Sequence, residues 1–219
     1  MKQKLVIYLI FFVALFSVFL YFVFRGTDNW KSKSPVLGYV KDFQFVNSNG
    51  ETVSNDIMKG KVCVVNFFFT TCRGVCPRMN GELMNIYNDY KDNPDFLIIS
   101  HTCDPERDSV LQLKHYADSL DVDTKKWIFL TGRKDSLYTA ARVSYMLDDP
   151  NNKLENIEDE FLHTQFMALV DKNGKLRSQV FDALKKNEVQ LLRDNIDKLL
   201  KEKQENTGFS GGMFSNNPK

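Results

Sequence analysis

An apolar strand that runs directly into two thiols and a helix-starting proline is the feature that most constrains how this chain folds. Val62 to Phe69 is rich in β-branched and aromatic residues, the composition of a strand buried on both faces. It leads into Thr70-Thr71-Cys72-Arg73-Gly74-Val75-Cys76-Pro77, after which Met79, Leu83, Ile86 or Tyr87, and Tyr90 repeat at helical spacing. Proline is tolerated at the first helical position, where its missing N–H would have no partner anyway. The spacing therefore puts Pro77 at that position and Cys76 near the cap, with both sulfurs just ahead of a helix N-terminus. The partial positive charge there favours thiolate over thiol, and Arg73 between the cysteines pushes the same way. Thiolate is the form that attacks disulfides and binds metals. A structural disulfide, or two buried fillers, is the competing reading.

Strands and helices then alternate. A hairpin is expected first, with Phe43, Phe45 and Val46 before the turn Asn47-Ser48-Asn49-Gly50 and Thr52 and Val53 after it, because such turn residues accept positive φ. Phe96 to Ser100 reads as a second buried strand and Trp127 to Leu130 as a third. Asp108 is placed to cap a helix from Ser109 to about Leu120, and a further helix is expected from Asp135 to Leu147 with Leu137, Ala141 and Tyr145 on one side. Asp148 to Glu160 carries six acidic residues and one lysine, the composition of a solvated loop. Phe166 to Val170 and Leu176 to Phe181 flank the turn Asp171-Lys172-Asn173-Gly174, and Glu188 to Lys201 is a helix with Val189, Leu192, Ile196, Leu199 and Leu200 as its apolar face. The order βαβα, βα, ββα implies parallel pairing through βαβ units. It is the arrangement of a thioredoxin-like α/β fold with an N-terminal β-hairpin extension.

Both ends lie outside that domain. Leu5 to Phe24 has no charged residue, is flanked by Lys2, Lys4 and Arg25, and holds six of the 18 phenylalanines; it is long enough to cross a hydrocarbon core as a single transmembrane helix. A cleavable signal is the rival reading, but Tyr21 to Gly26 offers no small-residue cleavage site. The expected organisation is a membrane anchor over 1–25, a linker over 26–34, the thioredoxin-like domain over 35–203 and a disordered tail over 204–219. Basic residues on both flanks leave the anchor's orientation unset by charge. Setting aside Lys2, Lys4 and Arg25 from the 29 basic residues leaves 26 against 28 acidic ones, a balance that argues against nucleic acid as a partner.

Dithiol–disulfide exchange is the obvious chemistry for such a fold, yet two features resist it. Thioredoxin-like oxidoreductases use C-x-x-C with a facing proline, whereas here the spacing is one residue longer and Leu162-His163-Thr164-Gln165 precedes the strand at Phe166. Two thiolates and one imidazole form a soft, low-coordinate set, and soft ligands select Cu(I), while structural zinc takes four protein ligands. Pattern alone leaves His163 open between ligand and surface residue.

At this point the chain resembles the Sco/SenC family. The resemblance rests on Thr70-Thr71, C-x-x-x-C-P, the Asp104-Pro105-Glu106-Arg107-Asp108 motif after the next strand, and His163-Thr164 before a strand closing in Asp171-Lys172-Asn173-Gly174. It covers about Phe43 to Leu200. It implies copper bound through Cys72, Cys76 and His163, with Cu(I) favoured and Cu(II) admitted, and a part in assembling the binuclear copper centre of cytochrome c oxidase subunit II. Members of the family are described as copper donors, as reductants of the target cysteines, or as both, so Cys72 and Cys76 are also the candidate catalytic dithiol of a thiol–disulfide oxidoreductase. Either role suits an oxidising compartment. Without a transit-peptide pattern, the expected location is a bacterial inner membrane, with the domain in the periplasm.

Several residues depart from the family or remain open. Cys103 stands where an aliphatic residue is expected, two residues after His101, and reads as a buried inert thiol, a resolving thiol or an extra copper ligand. Cys63 reads as core and His115 as exposed. Asp104 and Arg107 either order the loop beneath the site or start the next helix.

Overall fold

The computed structural model describes residues 2–24, 34–147 and 165–204. The linker over 26–33, the acidic stretch 148–160 with His163, and nearly all of the expected tail lie outside the described residues. The chain separates into two units, 1–34 and 35–219.

In the first unit, α1 (Lys2–Phe24) is one helix of 23 residues, about 35 Å long at 1.5 Å per residue. Most of its described apolar side chains are exposed, with Leu5, Phe12 and Phe22 around 70% accessible. By length and composition it could cross a membrane, and a signal sequence meets the same test.

The second unit is built on a sheet whose strands run in the order β1-β8-β7-β4-β5-β6-β2-β3, with β9 also paired to β7. The strands are β1 (Val36–Tyr39), β2 (Gln44–Asn47), β3 (Thr52–Ser54), β4 (Val62–Phe68), β5 (Phe96–Thr102), β6 (Trp127–Thr131), β7 (Phe166–Val170), β8 (Lys175–Arg177) and β9 (Phe181–Asp182). The strands β4, β5 and β6 are parallel, as the strand–helix alternation requires, and β7 runs antiparallel to β4. The helices are α2 (Val75–Tyr90), α3 (Val110–Leu120), α4 (Lys134–Thr139) and α5 (Lys186–Lys201).

Period-two alternation in the central strands divides the core into two layers. Val62, Val64 and Phe68 point to the layer filled by Met79, Leu83 and Ile86 of α2, Leu113 of α3 and Leu192, Ile196 and Leu199 of α5. Cys63, Val65 and Phe67 face the other layer, with Phe45, Leu137, Ala141 and Tyr145. Each fully buried Leu, Ile or Phe contributes about 1.5–3 kcal/mol relative to exposure, so the two layers hold β4 from both sides.

The β2–β3 hairpin forms as expected, with Gly50 at φ 81° and Gly174 at φ 74° in the two turns. Four elements differ from the sequence reading. The edge strand β1, which pairs with β8, is not anticipated by the pattern. The helix expected from Asp135 to Leu147 is helical only to Thr139 and continues as a π-helical turn, Ala140–Ser144; Leu137, Ala141 and Tyr145 are nonetheless buried together. The strand expected from Leu176 to Phe181 is broken at Ser178, whose φ is 66°, into β8 and β9, which pair with opposite ends of β7. Ser109, not Asp108, caps α3 and accepts from Gln112 N.

Candidate metal centre

The thiol loop begins where β4 ends. All seven residues of β4 are buried, and Thr70 follows with its N–H and hydroxyl both directed at the Asp108 carboxylate: Thr70 N donates to Oδ2 at 3.1 Å and Thr70 Oγ1 to Oδ1 at 2.5 Å. Thr102 Oγ1, at the end of β5, donates to the same carboxylate at 2.5 Å. Cys103 N donates to Phe68 O at 2.8 Å. Asp108, 1% exposed, thus ties the ends of two parallel strands and the approach to α3 into one corner beneath the loop.

From that corner the chain crosses Thr71 to Gly74 and enters α2 at Val75, with Gly74 as the capping residue. The helix therefore starts two residues earlier than expected, placing both Cys76 and Pro77 in the first turn. The reason is that all N–H groups of a first turn are without intrahelical partners, so proline fits there as well as at the opening position. Cys72 is partly exposed and Cys76 is 4% exposed. Both are free thiols.

The two sulfurs are electrostatically unequal. Burial alone would raise Cys72, but the Cys76 thiol and the N–H groups of Cys76, Gly74 and Val75 outweigh it and bring Cys72 below the ordinary cysteine value. Burial and the neighbouring Cys72 push Cys76 up to about 12. The helix start depresses the thiol as the sequence implies, and Arg73 between the cysteines is exposed. The result is one accessible thiol that gives up its proton more readily than usual, beside a second, buried thiol that holds its proton.

A polar chain supports α2 from inside the core. Trp127 Nε1 donates to Ser100 Oγ at 2.8 Å, Ser100 Oγ donates to Asn66 Oδ1 at 2.6 Å, and Asn66 Nδ2 reaches the Met79 sulfur at 3.9 Å. Asn80 Nδ2 donates to Tyr116 Oη at 2.5 Å. The Tyr116 phenol is raised to about 12, first by burial, with Cys76 and Cys72 among the smaller causes, so it lies within electrostatic reach of the pair.

These observations settle several residues. Cys63 is fully buried, and desolvation raises its thiol strongly. Cys103 is 1% exposed and belongs to the opposite core layer from Cys72 and Cys76; its thiol is held well above the usual value, first by burial, with Cys76 and Cys72 among the smaller causes. His115 is exposed. Asp104 N donates to Thr102 Oγ1 at 2.9 Å, and Arg107 lies 3.8 Å from the Asp104 carboxylate, so Asp104 helps close the same corner. His163 lies outside the described residues, and among the described residues no group of three His, Cys, Asp or Glu is placed to hold a metal.

The SCO1/SenC family model matches residues 32–200. This chain belongs to the SCO1/SenC family. The SCO1 protein homolog of Bacillus subtilis is 32% identical over 148 residues, covering 66% of this chain and 74% of the relative. A SCO2-like protein of Rickettsia felis is 32% identical over 166 residues, covering 70% and 75%. Among solved structures, BsSco, described as a member of the Sco family of cytochrome c oxidase assembly proteins and as containing a disulfide switch, superposes with a TM-score of 0.64 at 28% identity. The match covers 79% of this chain and all of BsSco. ScoI of Bradyrhizobium japonicum, solved with copper bound, superposes at 0.55 with 24% identity over 72% of this chain and 99% of ScoI, a likeness of fold. The Sco domain of this chain is thus a thioredoxin-like α/β fold.

The sequence reading missed the corner formed by Thr70, Thr102 and Asp108 and the Asn66 relay. A signal existed for the second: an asparagine inside the apolar run of β4 must find partners, because an unpaired buried amide is costly. For Asp108 the pattern pointed to a helix cap, and a carboxylate can cap its own helix or reach across to another strand with no change in the local sequence.

Proposed function

We propose that this Sco protein is a membrane-anchored copper metallochaperone that carries copper on Cys72, Cys76 and His163 and hands it to the binuclear copper centre of cytochrome c oxidase subunit II. The observation that carries the reading is the thiol pair at a helix start, one sulfur accessible and one buried. Copper is the cargo, and the donor set suits it: sulfur ligands favour Cu(I), and two thiolates with one imidazole leave room for a receiving protein to add a ligand before one is lost. Strand register supports His163 as the third ligand. Met167 of β7 pairs with Asn66 of β4, so β7 begins beside the strand end that carries the thiol loop. His163 is three residues upstream of Phe166, a chain reach of about 11 Å at most. The copper-bound ScoI structure and the role in cytochrome c oxidase assembly ascribed to the Sco family are in keeping with this cargo and destination.

The anchor and compartment belong to the same proposal: α1 is retained in a bacterial inner membrane, with the thiol domain in the periplasm, where sulfur ligands can cycle. The test is competitive Cu(I) titration of the detergent-solubilised chain beside His163→Ala. One copper per chain, held at least tenfold more weakly by the variant, is the expected result; a variant that holds copper as tightly as the parent removes His163 from the site.

A second reading is favoured by the thiol asymmetry itself. A lowered Cys72 and a raised Cys76 suit attack by Cys72 on a partner disulfide, followed by displacement of the partner by Cys76. The partner gains two electrons and two protons as Cys72 and Cys76 become a disulfide. Such a reductase needs both cysteines and not His163.

A further inference from the structure

Outside the anchor, acids slightly outnumber basic residues along the chain, yet the surface around the thiols has the opposite sign. Thr70 to Gly81 carries Arg73 and Arg78 and no acid, and both arginines are exposed. The loop after β5 adds a third. Asp108 holds Thr70, which fixes the neighbouring Arg107 beside the thiol loop, with its side chain 74% exposed. Asp104 and Asp108 are buried, leaving Glu106 as the exposed carboxylate of that loop.

Elsewhere in the domain, Arg133, Arg177 and Arg193 each pair with a carboxylate. Among the described residues no carboxylate pairs with Arg73 or Arg78, and Arg107 meets Asp104 only at 3.8 Å. An apolar side chain adjoins this basic rim. Gln112 Nε2 donates to Thr70 Oγ1 at 3.3 Å, tying the first turn of α3 to the thiol loop. Leu111 beside it is 63% exposed, more than any other large apolar side chain among the described residues of the second unit. A lone surface leucine is ordinary; one next to an accessible sulfur and three arginines has the makeup of a contact surface, apolar within a charged rim.

The position of Arg73 narrows what that surface meets. Any protein that exchanges copper or electrons with Cys72 must touch the accessible sulfur, and so must cover the guanidinium one residue away. Covering an unpaired charge with a neutral or basic face is costly, whereas a carboxylate takes the guanidinium fork through two parallel hydrogen bonds. The arginines are exposed rather than gathered in a pocket, which suits a protein face and not a small anion. We propose that the protein receiving copper or electrons from Cys72 presents carboxylates to Arg73, Arg78 and Arg107 and an apolar side chain to Leu111. The proposal rests on the function inferred above and adds the chemistry of the partner's surface.

The probe is a peptide with two cysteines and one phenylalanine, synthesised in two versions whose remaining residues are glutamates in one and lysines in the other. The rate at which the solubilised, Cu(I)-loaded full chain gives copper to each is measured at about 0.01 M salt and at about 1 M, where screening confines charge effects to about 3 Å. The acidic version should receive copper about tenfold faster at low salt, as electrostatic steering allows, and lose that lead at high salt. Arg78→Glu should cut the lead by about threefold while still holding one copper per chain. Lys59→Glu makes the same change of net charge just ahead of β4, at the far end of that strand from the thiols, and should leave the lead intact. Leu111→Ser should slow transfer to both versions, and unchanged rates would remove the apolar contact. Equal transfer to the two versions at low salt, or none, overturns the proposal, as do equal effects of Arg78→Glu and Lys59→Glu. A chain that holds no copper overturns the function instead. The rim is then read from reduction of the two peptides' disulfide forms, in which Cys72 and Cys76 give up two electrons and two protons and become a disulfide. A chain that holds no copper and reduces neither peptide overturns both.

Discussion

Thr70 Oγ1 donates to the buried Asp108 carboxylate at 2.5 Å, joining the start of the thiol loop to the residue that precedes the α3 cap. Since the same carboxylate accepts from Thr102, the position of Cys72 depends on a side chain 36 residues away in the chain. Thr70→Val keeps the shape of the side chain and removes the hydroxyl donor. It is expected to lower stability by about 1–3 kcal/mol, the effect of leaving a buried acceptor short of a partner. Urea unfolding of parent and variant measures it, and an unchanged midpoint would mean that the corner contributes nothing.

The unequal thiols predict selective chemistry. A thiol held below its usual value remains thiolate at lower pH, whereas one pushed to about 12 stays protonated through the neutral range. Brief alkylation with iodoacetamide near pH 7 should therefore modify Cys72 first, with Cys63 and Cys103 protected by burial. Peptide mass spectrometry reads the outcome; equal labelling of Cys72 and Cys76 would contradict the asymmetry.

His101 predicts acid sensitivity. It is fully buried against Phe43, Phe45, Phe67 and Tyr145, neither ring nitrogen has a hydrogen-bond partner, and desolvation lowers it from 6.5 to about 3. The unfolded chain takes up a proton near pH 6.5 that the folded chain refuses until about pH 3. The stability associated with the neutral ring is thus complete above pH 6.5 and is lost as pH falls through that window, by about 2 kcal/mol at pH 5. His101→Phe should flatten this acid limb. Unfolding of parent and variant at pH 5 and pH 8 checks the difference, and parallel losses in the two proteins would refute it.

The buried pair Arg177–Asp171 predicts a larger effect. Arg177 Nη1 lies 2.7 Å from Asp171 Oδ2, with both side chains at most 5% exposed, and Glu202 is 3.3 Å from the same nitrogen. Asp171 Oδ1 also accepts from Asn173 N and Lys175 N, so the pair fixes the β7–β8 turn. Arg177→Ala strands a buried carboxylate and should destabilise the domain by about 3–5 kcal/mol, read as a fall in the urea midpoint.

Most of the fold was legible where local chemistry and tertiary packing agree. Asn47 to Gly50 marks its hairpin because the turn needs positive φ at Gly50, and α5 shows its apolar stripe because Val189, Leu192, Ile196 and Leu199 face one core layer. The misreadings arose where tertiary contacts override local preference. The π-helical turn after Thr139 leaves the apolar period of α4 intact, so Leu137, Ala141 and Tyr145 suggest a regular helix. A carboxylate such as Asp108 serves a helix cap or a distant threonine equally well by sequence. For the candidate site, the thiol pair and its helix start were visible in the spacing, whereas the pattern left His163 open and the family resemblance favoured it as a ligand.

The central claim is a copper site of two sulfurs and one imidazole, tested most directly by X-ray absorption spectroscopy of the Cu(I)-loaded chain beside His163→Ala. The account predicts two sulfur scatterers and one imidazole in the parent, with the imidazole signature absent from the variant. A parent spectrum with sulfur ligands alone, or one unchanged by His163→Ala, would contradict it.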